Sequence, residues 1–299
     1  MDGILPLWKP KGLTSHDCVA KTRRLFNMKK VGHTGTLDPA VEGVLPICLG
    51  QATKIVPFLM DTTKTYIAEI KLGSATETED AEGRIIEEKR IKGPLLNETI
   101  DTTLASFKGK ITQIPPMYSA VKVKGKKLYE YARNHEEVER PKRQVTIFDI
   151  IRLESDNNDD SLIKIKVVCS KGTYIRTLCV EIGRTLGYPS HMYSLIREET
   201  GSISKKDTVT FGEIEEAIQK GEKNELLLPM TSGLTHLDRF YVDFETKKRV
   251  EYGQKLPKPD QEIKTNPFAV IYQDHLLAIY ENHPEHINQI KPVRVFNSN

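Results

Sequence analysis

Apolar residues recur along this chain at two spacings, and the spacing changes from segment to segment. Residues 4–8 read as a short strand. Ser15 is placed to cap a helix over 16–26, with Val19, the stem of Arg23 and Phe26 on one face. Residues 52–60 read as a short helix, and residues 64–72 alternate as a strand with Tyr66, Ala68, Ile70 and Leu72 on one side. An acidic polar loop over 76–83 leads to a second strand at 84–89, so the two strands are expected to pair as a hairpin. Ile100, Leu104 and Phe107 follow at helical spacing, with Asn97 as the expected cap. Residues 145–153 and 162–168 are β-rich and separated by a polar turn at 156–160. Residues 174–186 read as a helix ended by Gly187, and 192–196 as a further strand. Helices and strands mix without a regular strand–helix–strand beat. The expected class is therefore α+β, with a mixed, largely antiparallel sheet. Near 234–240 the character shifts. A short helix at 245–252 and strands at 268–272, 276–280 and 292–296 predict a small β-rich module. The expected organisation is one domain over 1–235 and a second over 236–299.

Bulk properties narrow the class. Charged residues make up 28% and hydrophobic residues 38%, the balance of a folded, soluble chain. Lysine and arginine number 44 against 41 acids, and a net charge of +3 is too small to imply nucleic acid by itself. Cys18, Cys48, Cys169 and Cys179 include no C-x-x-C pair, so neither a zinc site nor a disulfide framework is expected, and a cytoplasmic location is. The first residues are too poor in apolar positions for a signal peptide, and no run is long enough to cross a membrane.

One stretch concentrates candidate chemistry: Gly32-His33-Thr34-Gly35-Thr36-Leu37-Asp38-Pro39, running on to an apolar segment over 43–50. It sets one carboxylate, Asp38, in a tight turn. Both glycines are free to take positive φ, and Pro39 keeps Asp38 extended. A carboxylate on a rigid turn beside apolar residues can be desolvated and made reactive. On the local pattern alone, an ordinary turn aspartate bonding its own backbone is the favoured reading. A second stretch interleaves cations and aromatics: Tyr118, Lys122, Lys126, Lys127, Tyr129, Tyr131 and Arg133, followed by Arg140, Lys142 and Arg143. Cations that meet phosphates beside aromatics that meet bases suit an RNA surface, although Glu136, Glu137 and Glu139 weaken the field. Lys21, Arg23, Arg24, Lys29 and Lys30 form another basic cluster ahead of the Asp38 turn.

The Asp38 segment, together with Lys9-Pro10-Lys11-Gly12-Leu13-Thr14-Ser15 upstream and Lys171-Gly172-Thr173-Tyr174-Ile175-Arg176 downstream, resembles the TruB family of tRNA pseudouridine synthases. The resemblance runs in register from near residue 3 to about 203. It implies an isomerase that converts the T-loop uridine of tRNA (position 55 in tRNA numbering) to pseudouridine, with no metal and no redox cofactor. The implied partner is the T-arm of tRNA, with no membrane and no obligatory protein partner. Asp38 would be the reacting carboxylate, and Arg176 the arginine that pairs with it and keeps it ionised. Tyr66 would be catalytic, stacking on the target base and taking part in moving the C5 proton, and Tyr174 and Leu195 would line the same pocket. His33 would fill the gap left by the flipped base, Asp80 would contact the RNA loop, and Lys9 and Tyr118 would lie at the substrate. Residues near 110–145 would be a thumb-like insertion clamping the T-loop, with Lys122, Lys126, Lys127 and Arg143 on phosphates. The module over 236–299 would be PUA-like and RNA-binding. The chain departs from the family pattern at Thr76-Glu77-Thr78, where members often carry Thr-Asp-Thr.

Three rival functions are set against this one. The first is a synthase of the same family that works with guide RNA and partner proteins; such chains carry basic tails, and this sequence ends Phe296-Asn297-Ser298-Asn299. The second is a tRNA-folding chaperone that does not need Asp38. The third is a hydrolase with Asp38 as nucleophile, for which no companion acid–base pair is evident.

Overall fold

The computed structural model describes residues 1–93, 95–154 and 159–296. They divide into two compact units, one built from residues 1–39, 44–62 and the chain from 201 onward, the other from 40–43 and 63–200.

The second unit is organised about the strand Lys64–Leu72. Leu162–Cys169 pairs with it antiparallel on one side and Ser190–Thr200 antiparallel on the other. Arg143–Arg152 follows Leu162–Cys169, and Gly109–Gln113 closes that edge, again antiparallel. On the opposite edge Ile196 and Arg197 pair with Glu42 and Gly43 in the parallel sense. The sheet is therefore mixed and largely antiparallel, as the sequence pattern predicts. Alternation gives it one apolar face: Ala68, Ile70 and Leu72 are buried, as are Ile163, Ile165 and Val167 on the next strand. The helix Ile175–Thr185 packs on this sheet and buries Ile175, Leu178, Cys179 and Ile182, a helical repeat of three and four. Gly187, at φ +85°, follows its C-cap Leu186.

Two local expectations are corrected here. The strand Ile85–Glu88 pairs with Ser74–Thr76 and not with Lys64–Leu72. Gly73, at φ +92°, turns the chain after Leu72, and longer strands already occupy both edges of Lys64–Leu72. Asn97 does not cap its helix: it is the first residue of Asn97–Ser106, and Leu96 stands at the cap without a side-chain bond. Most of the turn expected at 156–160 lies outside the described residues.

In the first unit Gly3–Lys9 lies beside Glu42–Leu49, and Val31–His33 pairs antiparallel with the end of that strand. The helix Ser15–Phe26 is capped by Thr14 rather than Ser15. Thr14 Oγ1 accepts the Asp17 N–H at 3.0 Å, and the Asp17 carboxylate accepts the Thr14 N–H at 2.9 Å. Val19 and Phe26 are buried as expected, whereas Arg23 is exposed and reaches back to the Val31 carbonyl at 3.0 Å. The helix expected at 52–60 is a 3₁₀ turn, Gly50–Ile55, running into a single α-turn, Val56–Met60. A five-stranded sheet forms from Arg239–Tyr241, Phe268–Tyr272, His275–Asn282, Gln289–Val295 and Leu256–Pro257, in that spatial order. Ala269, Ile271, Ile279 and Phe296 from this part share one core with Ile4, Cys48 and Ile55.

Gly43 makes the parallel pairing possible. It sits at φ +130°, and a Cβ there would lie 2.3 Å from the Arg197 carbonyl oxygen and 2.6 Å from its nitrogen. Gly43→Ala should therefore force Glu42 and Gly43 off Arg197 and cost about 1–3 kcal/mol. A fall in the urea midpoint would show it; an unchanged midpoint would mean the contact relaxes freely.

Candidate active site

Asp38 lies in the first unit, where the chain leaves Val31–His33. Gly35 is held at φ +143°, while Gly32 stays within the strand and needs no positive φ, so only one of the two glycines serves the turn. The Gly35 N–H donates to His33 Nδ1 at 3.2 Å, which leaves the hydrogen of a neutral ring on Nε2. The edge-on ring of His16 stands 5.3 Å away. Asp38 itself is half-buried, and both of its neighbours are tied down. On one side, buried Leu37 donates its N–H to Ser15 Oγ at 2.9 Å and accepts the Ser15 hydroxyl at 3.3 Å. On the other, Lys9 is wholly buried, and its ammonium donates to the carbonyls of Pro10 at 3.0 Å and Pro39 at 3.2 Å. The Gly12 N–H adds a bond to Pro39 at 2.9 Å. Ser15, which the sequence suggested as a helix cap, thus fixes the turn instead. Its signal was a second hydroxyl beside a Thr14 that already forms a capping box.

Arg176 lies in the second unit, in the first turn of Ile175–Thr185, and is 7% exposed. Nη1 donates to the Thr78 carbonyl at 3.2 Å and faces Asp80 Oδ2 at 3.5 Å; Nη2 donates to the Tyr118 carbonyl at 3.0 Å. Arg176, Asp80 and Tyr118, three residues far apart in the chain, are thereby brought together. The loop holds Asp80 by its own bonds: Thr76 Oγ1 donates to the Asp80 carbonyl at 2.6 Å, and Thr78 Oγ1 and the Glu82 N–H donate to its carboxylate at 2.5 and 3.1 Å. Glu79, at φ +64°, accepts the Thr177 hydroxyl at 2.7 Å. Burial pushes the Glu79 carboxyl up, while the Thr177 bond and the cations Arg176 and Arg140 pull it back.

Tyr66 is half-buried and stands opposite Val167 and Arg197; Leu195 stands opposite Ala68. That register puts Tyr66 and Leu195 on one face of the sheet. Tyr174 is fixed through its backbone: its N–H donates to Gln113 Oε1 at 3.0 Å, and Gln113 Nε2 donates to its carbonyl at 3.2 Å. Gln113 is 1% exposed, and the sequence alone assigns it no role, because a lone glutamine carries no signal of its own.

Residues 114–142 leave and re-enter the sheet between the paired Gln113 and Arg143. A small hairpin, Lys122–Val123 with Lys126–Lys127, and the helix Leu128–Arg133 lie within this segment. Lys122 and Arg143 are exposed. Lys126 bonds both oxygens of Glu136 at 2.7 and 2.8 Å and stands over Tyr131, while Lys127 stands over Tyr129. Two of the four predicted phosphate contacts, Lys126 and Lys127, therefore have partners of their own within the insertion.

Thiol chemistry has no foothold. All four cysteines are buried, and burial pushes the Cys48 thiol up to about 12 and that of Cys169 up to about 11. Among the described residues no three His, Cys, Asp or Glu side chains gather to hold a metal ion.

The fold is that of a pseudouridine synthase. A chain in the crystal structure of a Cbf5-Nop10-Gar1 complex superposes with a TM-score of 0.76 at 26% identity, covering 99% of this chain and 84% of that one. Residues 23–175 match the N-terminal domain of TruB family pseudouridylate synthases, and residues 176–235 match the tRNA pseudouridylate synthase B C-terminal domain. A tRNA pseudouridine synthase B of Oceanobacillus iheyensis is 57% identical over 99% of this chain and 98% of its own length. One from Halalkalibacterium halodurans is 48% identical over 99% and 97%. The chain belongs to the TruB family, whose members isomerise uridine to pseudouridine.

Ser15→Ala tests the fixation of the turn. It leaves the N–H and C=O of Leu37 without their hydroxyl partner, a loss of about 1–3 kcal/mol for buried polar groups. Isomerisation should slow by about tenfold or more with RNA affinity retained. Wild-type turnover in this variant would show that the turn holds without Ser15.

Proposed function

We propose that this enzyme modifies the T-loop uridine of tRNA at position 55, recognising the folded T-arm by shape and flipping the uridine into its site. The reaction breaks the bond from N1 to C1′, turns the base and joins C1′ to C5, whose hydrogen leaves as a proton. Asp38 is the carboxylate that acts at the sugar or the base. The observation that carries this reading is the double fixation of its turn, by Ser15 at Leu37 and by Lys9 at Pro39. A carboxylate held that way meets the reacting atoms without first being ordered. Lys9, expected at the substrate, then serves it through the turn.

The remaining roles follow the resemblance. Arg176 keeps the carboxylate site electropositive, Tyr66 stacks on the base, and Tyr174 and Leu195 line the pocket. Stacking on Tyr66 would contribute about 1–3 kcal/mol. His33 fills the vacated stack, and Asp80 and Tyr118 meet the RNA loop. Residues 1–235 would form the synthase part, with the insertion near 110–145 as clamp, and 236–299 a PUA-like RNA-binding module. The setting is the cytoplasm, with tRNA as partner and no obligatory protein partner. Relatives named for tRNA over nearly the full length of the chain support tRNA as the substrate.

A T-arm carrying tritium at uridine C5 tests the chemistry, because isomerisation must expel that hydrogen. Wild type should release it into water, and Asp38→Asn should bind the T-arm and release none. Release by Asp38→Asn at the wild-type rate would remove Asp38 from the reaction. Binding without release by wild type would turn the reading towards a chaperone or a partner-dependent enzyme.

The clamp is tested by salt. If Lys122, Lys126, Lys127 and Arg143 meet four phosphates, replacing all four with glutamine should reduce the slope of log affinity against log salt by about 3 to 4. The chemical step should change little. An unchanged slope would take this surface out of the binding site.

A further inference from the structure

We propose that Glu79 is a positioning residue for Arg176: acting through Thr177, its carboxylate locks the first turn of the helix Ile175–Thr185 to the loop that presents Asp80. The inference rests on the reading of Arg176 as the active-site arginine.

The Arg176 guanidinium is aimed by acceptors that do not belong to its own helix. Two are main-chain carbonyls, of Thr78 at 3.2 Å and Tyr118 at 3.0 Å, and Asp80 faces it at 3.5 Å. These bonds aim the side chain only if the loop over 76–83 keeps a fixed distance from the helix. The loop is joined to the sheet by its main chain, where the Met192 N–H donates to the Glu79 carbonyl at 3.0 Å. To the helix it is joined by side chain, through the 2.7 Å bond from the Thr177 hydroxyl to Glu79. Thr177 follows Arg176 directly, so this bond fixes the helix backbone one residue from the guanidinium's root.

The backbone supports the assignment. Glu79 is held at φ +64°, a left-handed conformation that is unfavourable for a residue with a side chain. A glycine would bear no such cost. The left-handed turn sends two successive acids in different directions, Asp80 to the guanidinium and Glu79 to the helix. Thr177 is itself buried, so loss of its acceptor would strand a hydroxyl away from water.

The test measures single-turnover tritium release, T-arm affinity and thermal midpoint on the full chain. Glu79→Ala should slow release about 10- to 100-fold, the range for losing a hydrogen bond to a charged group, with affinity unchanged. Glu79→Gln keeps an acceptor oxygen and should stay within about threefold of wild type. Thr177→Val should reproduce the loss in Glu79→Ala, and the double variant should be no slower than either single one. Thr177→Val decides the matter alone if Glu79→Ala does not fold. Wild-type rates in both single variants, or losses that multiply in the double variant, would overturn the inference. So would a Glu79→Gln as slow as Glu79→Ala. Arg176→Ala serves as the control: if it keeps wild-type turnover, the role of the arginine falls as well. If it loses turnover while Glu79→Ala does not, only the role of Glu79 falls.

Discussion

A lysine ammonium taken wholly out of water must be surrounded by acceptors, and in this protein that demand shapes the turn that carries Asp38. Lys9 is fully buried at the end of Gly3–Lys9, with the carbonyls of Pro10 and Pro39 as partners. Desolvating an ammonium is expensive, so the position of the Pro39 carbonyl is tightly specified. Ser15 does the same for Leu37 with a neutral hydroxyl. Between these two anchors Asp38 has little conformational freedom left. Order of this kind is established on folding, before any substrate arrives.

The second unit follows the same logic with the charge reversed in role. Arg176 is buried at the start of a helix, and main-chain carbonyls from two separate segments receive its donors. Arginine suits this task because its planar fork stays charged and offers donors in fixed directions. The loop over 76–83 is internally bonded by Thr76, Thr78 and Asp80, so it behaves as a small rigid platform. Gln113 extends the principle to Tyr174, bonding both its N–H and its carbonyl. In each case a polar side chain buried in the fold is spent on backbone geometry near a candidate functional residue.

The insertion shows a different balance. Its lysines are half-buried or exposed, and Lys126 already faces Glu136 across 2.7 Å. A surface pair of this kind contributes little to stability, so it can be exchanged at small cost. Glu136, one of the acids that dilute the basic field in the sequence, is the local partner of Lys126. Net charge therefore says little about this surface, and the arrangement of individual pairs says more.

Periodicity in the sequence was enough to determine the strands Lys64–Leu72, Arg143–Arg152 and Leu162–Cys169, the middle of Ser190–Thr200, the sheet's largely antiparallel sense and the helix over Ile175–Thr185, though not the strands Glu42–Leu49 and Gly109–Gln113, because alternation and helical repeat are local consequences of which face is buried. The ordered blocks around Lys9, Asp38 and Arg176 likewise determined the family, since they depend on residue identity and order alone. What only the tertiary structure decided was which groups meet across long stretches of chain. Ile85–Glu88 found Ser74–Thr76 because Gly73 turned the chain, and Ser15 bonded Leu37 instead of capping its helix because Thr14 had already done so. Gln113 and Glu79 gained their importance from partners 61 and 98 positions away. Hydrogen bonds of that span are settled by packing, which local sequence pattern does not encode.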